Sequence, residues 1–195
     1  MPTNRLSQLI ARIDQLNSED PNTELVQGQQ VPRELRYAQR LTEWVLQLRP
    51  DASEALRIAS RGQHIRRWTI PRDQYPRTRQ GYLRWRETLK TFHAHTVAEL
   101  MREVGYNEEL ITRVRELILK KRLPADPETQ TLEDALCLLF LETQLADLRQ
   151  KTPPEKMREI LQKTWKKMSE QGRTAALKLP LTPEERACIT QALLA

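Results

Sequence analysis

Glycine and phenylalanine are scarce, at five and two of 195 residues, while Leu, Arg, Glu, Gln and Ala dominate. The scarce types serve turns and strands and the abundant ones are good helix formers, so the composition excludes a β-rich protein and points to an all-α fold. Only two cysteines occur, Cys137 and Cys188, without a CxxC or Cys/His spacing. That excludes a disulfide framework and a zinc site, and it fits a reducing compartment. Long apolar runs are missing as well. The longest, residues 136–141, is far short of a membrane span and is flanked by acids. The opening residues MPTNRLSQLIARIDQ carry neither a basic stretch leading into an apolar one nor a small-residue cleavage site, so no secretory signal is expected. The chain therefore reads as soluble and cytoplasmic, with no membrane partner. A P-loop, a GxGxxG fingerprint, a GxSxG elbow and an HExxH are all absent, which removes the common nucleotide, hydrolase and zincin signatures.

What is present is helical periodicity. Leu6, Leu9, Ile10, Ile13 and Leu16 form a first stripe, followed by a polar connector, NSEDPNTELVQGQQ, that reads as loop. Residues 1–31 are thus an N-terminal helix and connector, and residues 32–195 a single helical domain. Pro32 opens a helix with Leu35, Ala38, Leu41, Val45 and Leu48 on one stripe. Asp51 is the expected cap of the next helix, with Glu54 completing a capping box, and the small residues Ala52, Ala55, Ala59, Ser60 and Gly62 allow close packing. Pro71 and Pro76 break residues 69–78 into an ordered loop. One long helix is expected from Gln80 to a stop at Gly105, a shorter one capped by Asn107, and a deeply buried one carrying Leu132, Leu136, Leu139 and Phe140. Two more start at Thr152-Pro-Pro-Glu and Thr182-Pro-Glu-Glu, giving about eight helices and no strand-like alternation.

Residues 61–90, RGQHIRRWTIPRDQYPRTRQGYLRWRETLK, hold nine basic side chains against two acids. The protein carries a net charge of +6, so the whole basic excess lies in this segment. Trp68, Tyr75, Tyr82 and Trp85, half of all Trp and Tyr residues, are interleaved with it. Arginine forks grip phosphate or carboxylate, and aromatic faces stack on bases or guanidinium groups, so an anionic ligand is the natural partner. A solvated basic face with Trp anchoring the core is the plainer reading. Of the histidines, His64 falls in this run, and His93 and His95 just beyond it. Tyr82, Arg86 and His93 share one face of the long helix. Glu133 and Asp134 open an apolar helix, either as first-turn charges or as inward partners of His or Arg. Lys120 is open between a helix-end charge and a phosphate contact.

Three segments sharpen this picture: QHIRRWTIPRDQYPRTRQGYLRWR, FHAHTVAELMREVGY and LILKKRLPADPETQTLEDALCLLFLE, with KTWKKMS after them. Through them the chain, from about Glu34 onward, resembles the domain-of-unknown-function family 4202. More distantly it resembles the HD-type metal-dependent phosphohydrolases, which are all-helical. That second resemblance implies an HD-like helix order, with His64 standing near the family's His-Asp pair, His93 matching a further histidine and Asp134 matching the last aspartate. Ile65 follows His64 where an Asp would be needed, and the helix around Tyr37 has no histidine. The donors left are a poor set for a divalent ion, so no cofactor and at most weak metal binding is expected.

The reading that results is a helical domain binding a phosphate-bearing, nucleotide-like small molecule, with hydrolysis by a phosphohydrolase-like chemistry as an open extension. In it His64, His93 and Asp134 are the catalytic candidates, and Arg66, Arg67, Arg72, Tyr75, Tyr82, Arg86 and Lys120 hold the anion. An RNA or single-strand binding module and a non-catalytic protein-interaction domain are the alternatives. Arginines gathered in a concavity favour the small ligand, and an outward stripe favours nucleic acid.

Overall fold

Most helix starts are marked by a side chain that takes up a free backbone N–H. Asn4, Ser53, Thr78, Asn107, Asp126 and Ser169 each accept from the amide two or three residues on, a contact worth about 1 kcal/mol per helix. The computed structural model describes residues 4–194, and among them ten α-helices account for most of the chain: α1 Arg5–Ser18, α2 Arg33–Leu48, α3 Glu54–Gly62, α4 Arg79–Glu103, α5 Glu108–Leu119, α6 Pro127–Thr143, α7 Leu145–Lys151, α8 Pro154–Lys167, α9 Glu170–Leu177 and α10 Pro183–Leu194. The protein is all-α. No helix among the described residues is long and apolar enough to cross a membrane.

One core joins these helices. Helix α3 is packed among α1, α2, α5 and α6, and α4 lies along α5. Leu9 and Ile13 of α1 are fully buried in the same cluster as Leu41 of α2, Leu56 and Ile58 of α3, Met101 of α4, Ile111 and Leu117 of α5, and Leu132 and Leu138 of α6. The small-residue face of α3 is what permits its close approach to α4. A Cβ built on Gly62 would stand 2.3 Å from Cγ2 of Val97, so only glycine fits there.

Several local expectations are corrected. The connector is not a loop but a hairpin, β1 Thr23–Val26 paired antiparallel with β2 Gln29–Pro32. Its two-residue turn has positive φ at both Gln27 and Gly28, the geometry that suits strand twist; the strand signal is weak because the ribbon is short and mostly exposed, with no buried residue in either strand. The cap of α3 is Ser53 rather than Asp51, and Glu54 accepts from the Tyr106 hydroxyl instead of closing a capping box. Two short helices, α7 and α9, exceed the expected count, because a turn or two of helix held by tertiary contacts leaves little periodicity to read. Thr182 and Glu185 do form the reciprocal capping box that opens α10, with N–O distances of 2.8 and 3.2 Å.

Candidate functional site

Six helices converge on one open cleft of about 690 Å³, within the range of small-molecule sites. The long helix α4 contributes Tyr82, Trp85, Arg86, Lys90 and His93, which recur every three or four residues and so form a single stripe. Facing it, α6 brings Glu133, Leu136, Cys137 and Phe140, and α8 brings Ile160, Thr164 and Lys167, at the same spacing. Tyr37 comes from α2, and Gln63 and His64 from the end of α3.

Two left-handed residues that are not glycine deliver the remaining groups. Arg66, with φ +51°, bends the chain between His64 and Arg67. Its backbone N–H donates to Asn17 Oδ1 of α1 at 3.1 Å, and Asn17 is fully buried. Lys120, with φ +55°, ends α5 and swings its side chain against Glu133. Such conformations persist only where surrounding structure enforces them, and they concentrate at functional sites.

Electrostatics divide the cleft in two. Arg67, Arg86, Lys90, Lys120 and Lys167 line it, against the carboxylates Glu87 and Glu133. Glu87 pairs with Lys90 at 2.5 Å. Glu133, nearly sealed from solvent, is bridged by Lys120 and, at 3.6 Å, by Lys167, and these contacts hold its pKa below the ordinary value against the opposing effect of burial. The Lys120 ammonium is itself pushed down by burial. Arg67 packs over the Trp85 ring at 4.6 Å and Arg86 over Tyr82 at 5.8 Å.

Beneath these cations lies a stack of rings. Tyr37 and His64 are parallel, with centroids 4.1 Å apart, and His64 and His93 follow at 5.8 Å. Burial, reinforced by Arg67, Lys120 and Arg86, holds His64 neutral, well below the ordinary imidazole value. Burial does the same to His93. Behind His64, Glu34 Oε2 approaches its Nδ1 at 3.4 Å, and burial pushes the Glu34 carboxyl up to about 7. Near neutral pH the carboxyl is therefore partly protonated beside a neutral imidazole. Gln63 Oε1, Glu34 Oε2 and His93 Nε2 are buried without a hydrogen-bond partner among the described residues. Orphaned polar atoms are costly in an ordinary core, and two of these three, on Gln63 and His93, belong to residues that line the cleft.

Of the residues singled out from sequence, His64, His93, Arg67, Tyr82, Arg86 and Lys120 meet in this cleft. Asp134, Arg66, Arg72 and Tyr75 are not among its lining residues. Asp134 is turned to the start of α9, where it accepts from the backbone N–H of Ser169 at 2.8 Å, from the Ser169 hydroxyl and from Gln130. It holds neither histidine nor arginine. Arg72 is spent on its own loop, donating to the carbonyls of Tyr75 and Pro76 at 2.8 and 2.9 Å. Arg66 forms the backbone bend, and its Nε is buried without a hydrogen-bond partner among the described residues. The trio implied by the HD resemblance does not assemble, and no group of three or more His, Cys, Asp or Glu among the described residues is arranged to hold a metal ion.

A family model for a domain of unknown function, DUF4202, matches residues 7–189. The chain belongs to the DUF4202 family. The match starts inside α1, so it takes in the hairpin and the helix that supplies Asn17 as well as the whole cleft of this DUF4202 protein. Neither the curated proteins nor the solved structures contain a significant match. Sequence reasoning passed over Tyr37 and Lys167 as site residues of the DUF4202 chain because they stand outside the basic run, passed over Gln63 because it is an uncharged residue within it, and left Glu133 undecided against Asp134. The one signal for Glu133 was spacing, since it lies seven residues before Phe140 and so shares its stripe.

Proposed function

We propose that the cleft binds a phosphate-bearing small molecule. The observation that carries this reading is the convergence of Arg67, Arg86, Lys90, Lys120 and Lys167 on one concavity that, among the described residues, is lined by two carboxylates. Charge-assisted contacts from such a set are the strong way to hold a phosphoryl group. Two other arginines of the basic run are engaged elsewhere: Arg61 is clamped by Asp14 at 2.6 and 2.7 Å and Arg72 by loop carbonyls. The exposed Arg77, Arg79 and Arg84 favour a second reading, in which a nucleic-acid backbone lies along the outside of α4.

Calorimetric titration of the purified chain with inorganic phosphate, methyl phosphate and pyrophosphate tests the first reading. Binding that falls at least about ten-fold in Arg86→Ala supports it, in line with a lost charge-assisted contact. Absence of heat for every phosphate compound overturns it. The same solutions, assayed for released inorganic phosphate, report on hydrolysis. Association with an oligonucleotide that weakens steeply with salt, and survives Arg67→Ala and Arg86→Ala, favours the second reading.

A further inference from the structure

Arg67, Arg86 and Lys90 come to the cleft from the start and length of α4 and the bend before it, while Lys120 ends α5 and Lys167 stands near the end of α8. Most of the lining that α5, α6 and α8 add between those two lysines is apolar: Leu119, Leu123, Leu136, Phe140 and Ile160, each only half-buried. An apolar wall left open beside cations is unlike a sealed core, and it lies within reach of whatever the cations hold.

Resting on the phosphate reading, we propose that the bound molecule is an aliphatic phosphate: a phosphoryl head held by Arg67, Arg86 and Lys120, and an alkyl or acyl chain laid along the wall between α6 and α8. The polar inventory of that wall separates a chain from a nucleobase. Its hydroxyl, Thr164 Oγ1, is used in donating to the Ile160 carbonyl at 2.8 Å, and the Cys137 thiol is turned to the Thr164 carbonyl at 3.9 Å. Gln144, at the outer end of α6, is exposed to solvent. The unpaired polar atoms, Gln63 Oε1 and His93 Nε2, lie on the opposite side, at the histidines. A base laid on the wall would strand its edge donors and acceptors, each at the cost of a lost hydrogen bond, whereas a chain strands nothing.

The test is a titration series of methyl, butyl and hexyl phosphate, all monomeric at the concentrations used, beside adenosine monophosphate. Each methylene laid on the wall is expected to tighten binding by about three- to four-fold until the wall is covered. Phe140→Ala and Ile160→Ala should flatten that dependence while leaving the affinity for methyl phosphate unchanged, which also shows that the variants fold. An affinity indifferent to chain length, with methyl phosphate still bound, overturns this inference alone. Adenosine monophosphate binding more tightly than hexyl phosphate overturns it in favour of a base. If neither inorganic nor methyl phosphate binds, the phosphate reading falls with it. A co-sedimentation arm with phosphatidate vesicles, with Arg86→Ala as control, identifies the source: pelleting that depends on Arg86 assigns the chain to a membrane lipid, and none assigns it to a free amphiphile.

Discussion

Nδ1 of His93 lies 2.9 Å from the carbonyl oxygen of Ile65. A carbonyl can only accept, so the ring proton must sit on Nδ1, and Nε2 keeps a lone pair with no partner among the described residues. Nitrogen-resolved NMR of the imidazole should therefore show the Nδ1–H tautomer of His93, neutral at pH 7. An Nε2–H tautomer would mean that the ring is held in another way.

The depressed pKa values of His64 and His93 set a direction for stability against pH. In the unfolded chain each imidazole takes up a proton below about 6.5, while in the folded protein burial keeps it neutral. The stabilising contribution is thus complete above that pH and is lost as pH falls toward the folded values, at up to about 1.4 kcal/mol per pH unit for each histidine. Urea denaturation from pH 7 to pH 5 should show the loss, and a His93→Gln variant should show a shallower one.

Glu34 pulls the other way. Its carboxyl goes from 4.5 to about 7 on folding, so its contribution is complete below about 4.5 and disappears as pH rises through 7. At pH 8 the buried anion costs on the order of 3 kcal/mol, and Glu34→Gln should be more stable than the parent there but not at pH 4.5. Equal stability of the two proteins at pH 8 would contradict the burial argument.

Asp134→Asn should act on stability and not on the cleft. The substitution weakens the contacts to Ser169, whose own hydroxyl caps α9 by accepting from Gly172, at a cost of about 2 kcal/mol. For a chain of this length that lowers the melting temperature by about 4–8 °C. Phosphate affinity at a temperature where the variant is folded should match the parent, and a large change in affinity would return Asp134 to the site.

Gly62→Ala should cost about 1–3 kcal/mol through crowding against Val97. In a Val97→Ala background the same change should cost little, because the methyl that it meets has been removed. Additive effects in the double-mutant cycle would place the strain elsewhere.

How far these features could be read in advance depended on the range over which they are encoded. Helix α5 is written locally, with Asn107 as its cap and Ile111, Val114, Leu117 and Ile118 as its buried stripe, and the face of α4 that carries Tyr82, Arg86 and His93 follows from spacing alone. The partner of a charged side chain is not local. Glu133 and Asp134 are neighbours in sequence, yet a helix turns successive residues by about 100°, so one meets Lys120 and the other Ser169. Nothing near Arg61 announces that Asp14, in α1, will neutralise it. The charge of the basic run was legible, but its division between cleft, core clamp and solvent was decided by residues far away in the chain.

The walls of the cleft come from α2, α3, α4, α5, α6 and α8, from Tyr37 to Lys167, and Asn17 of α1 steadies its central bend. A ligand seated there touches six helices at once, so global opening of the core must dismantle its site, whereas fraying of one segment need not. Occupancy should then slow hydrogen exchange at the most protected amides of the core, far from any ligand atom, by about ten-fold for each ten-fold excess of ligand over its dissociation constant.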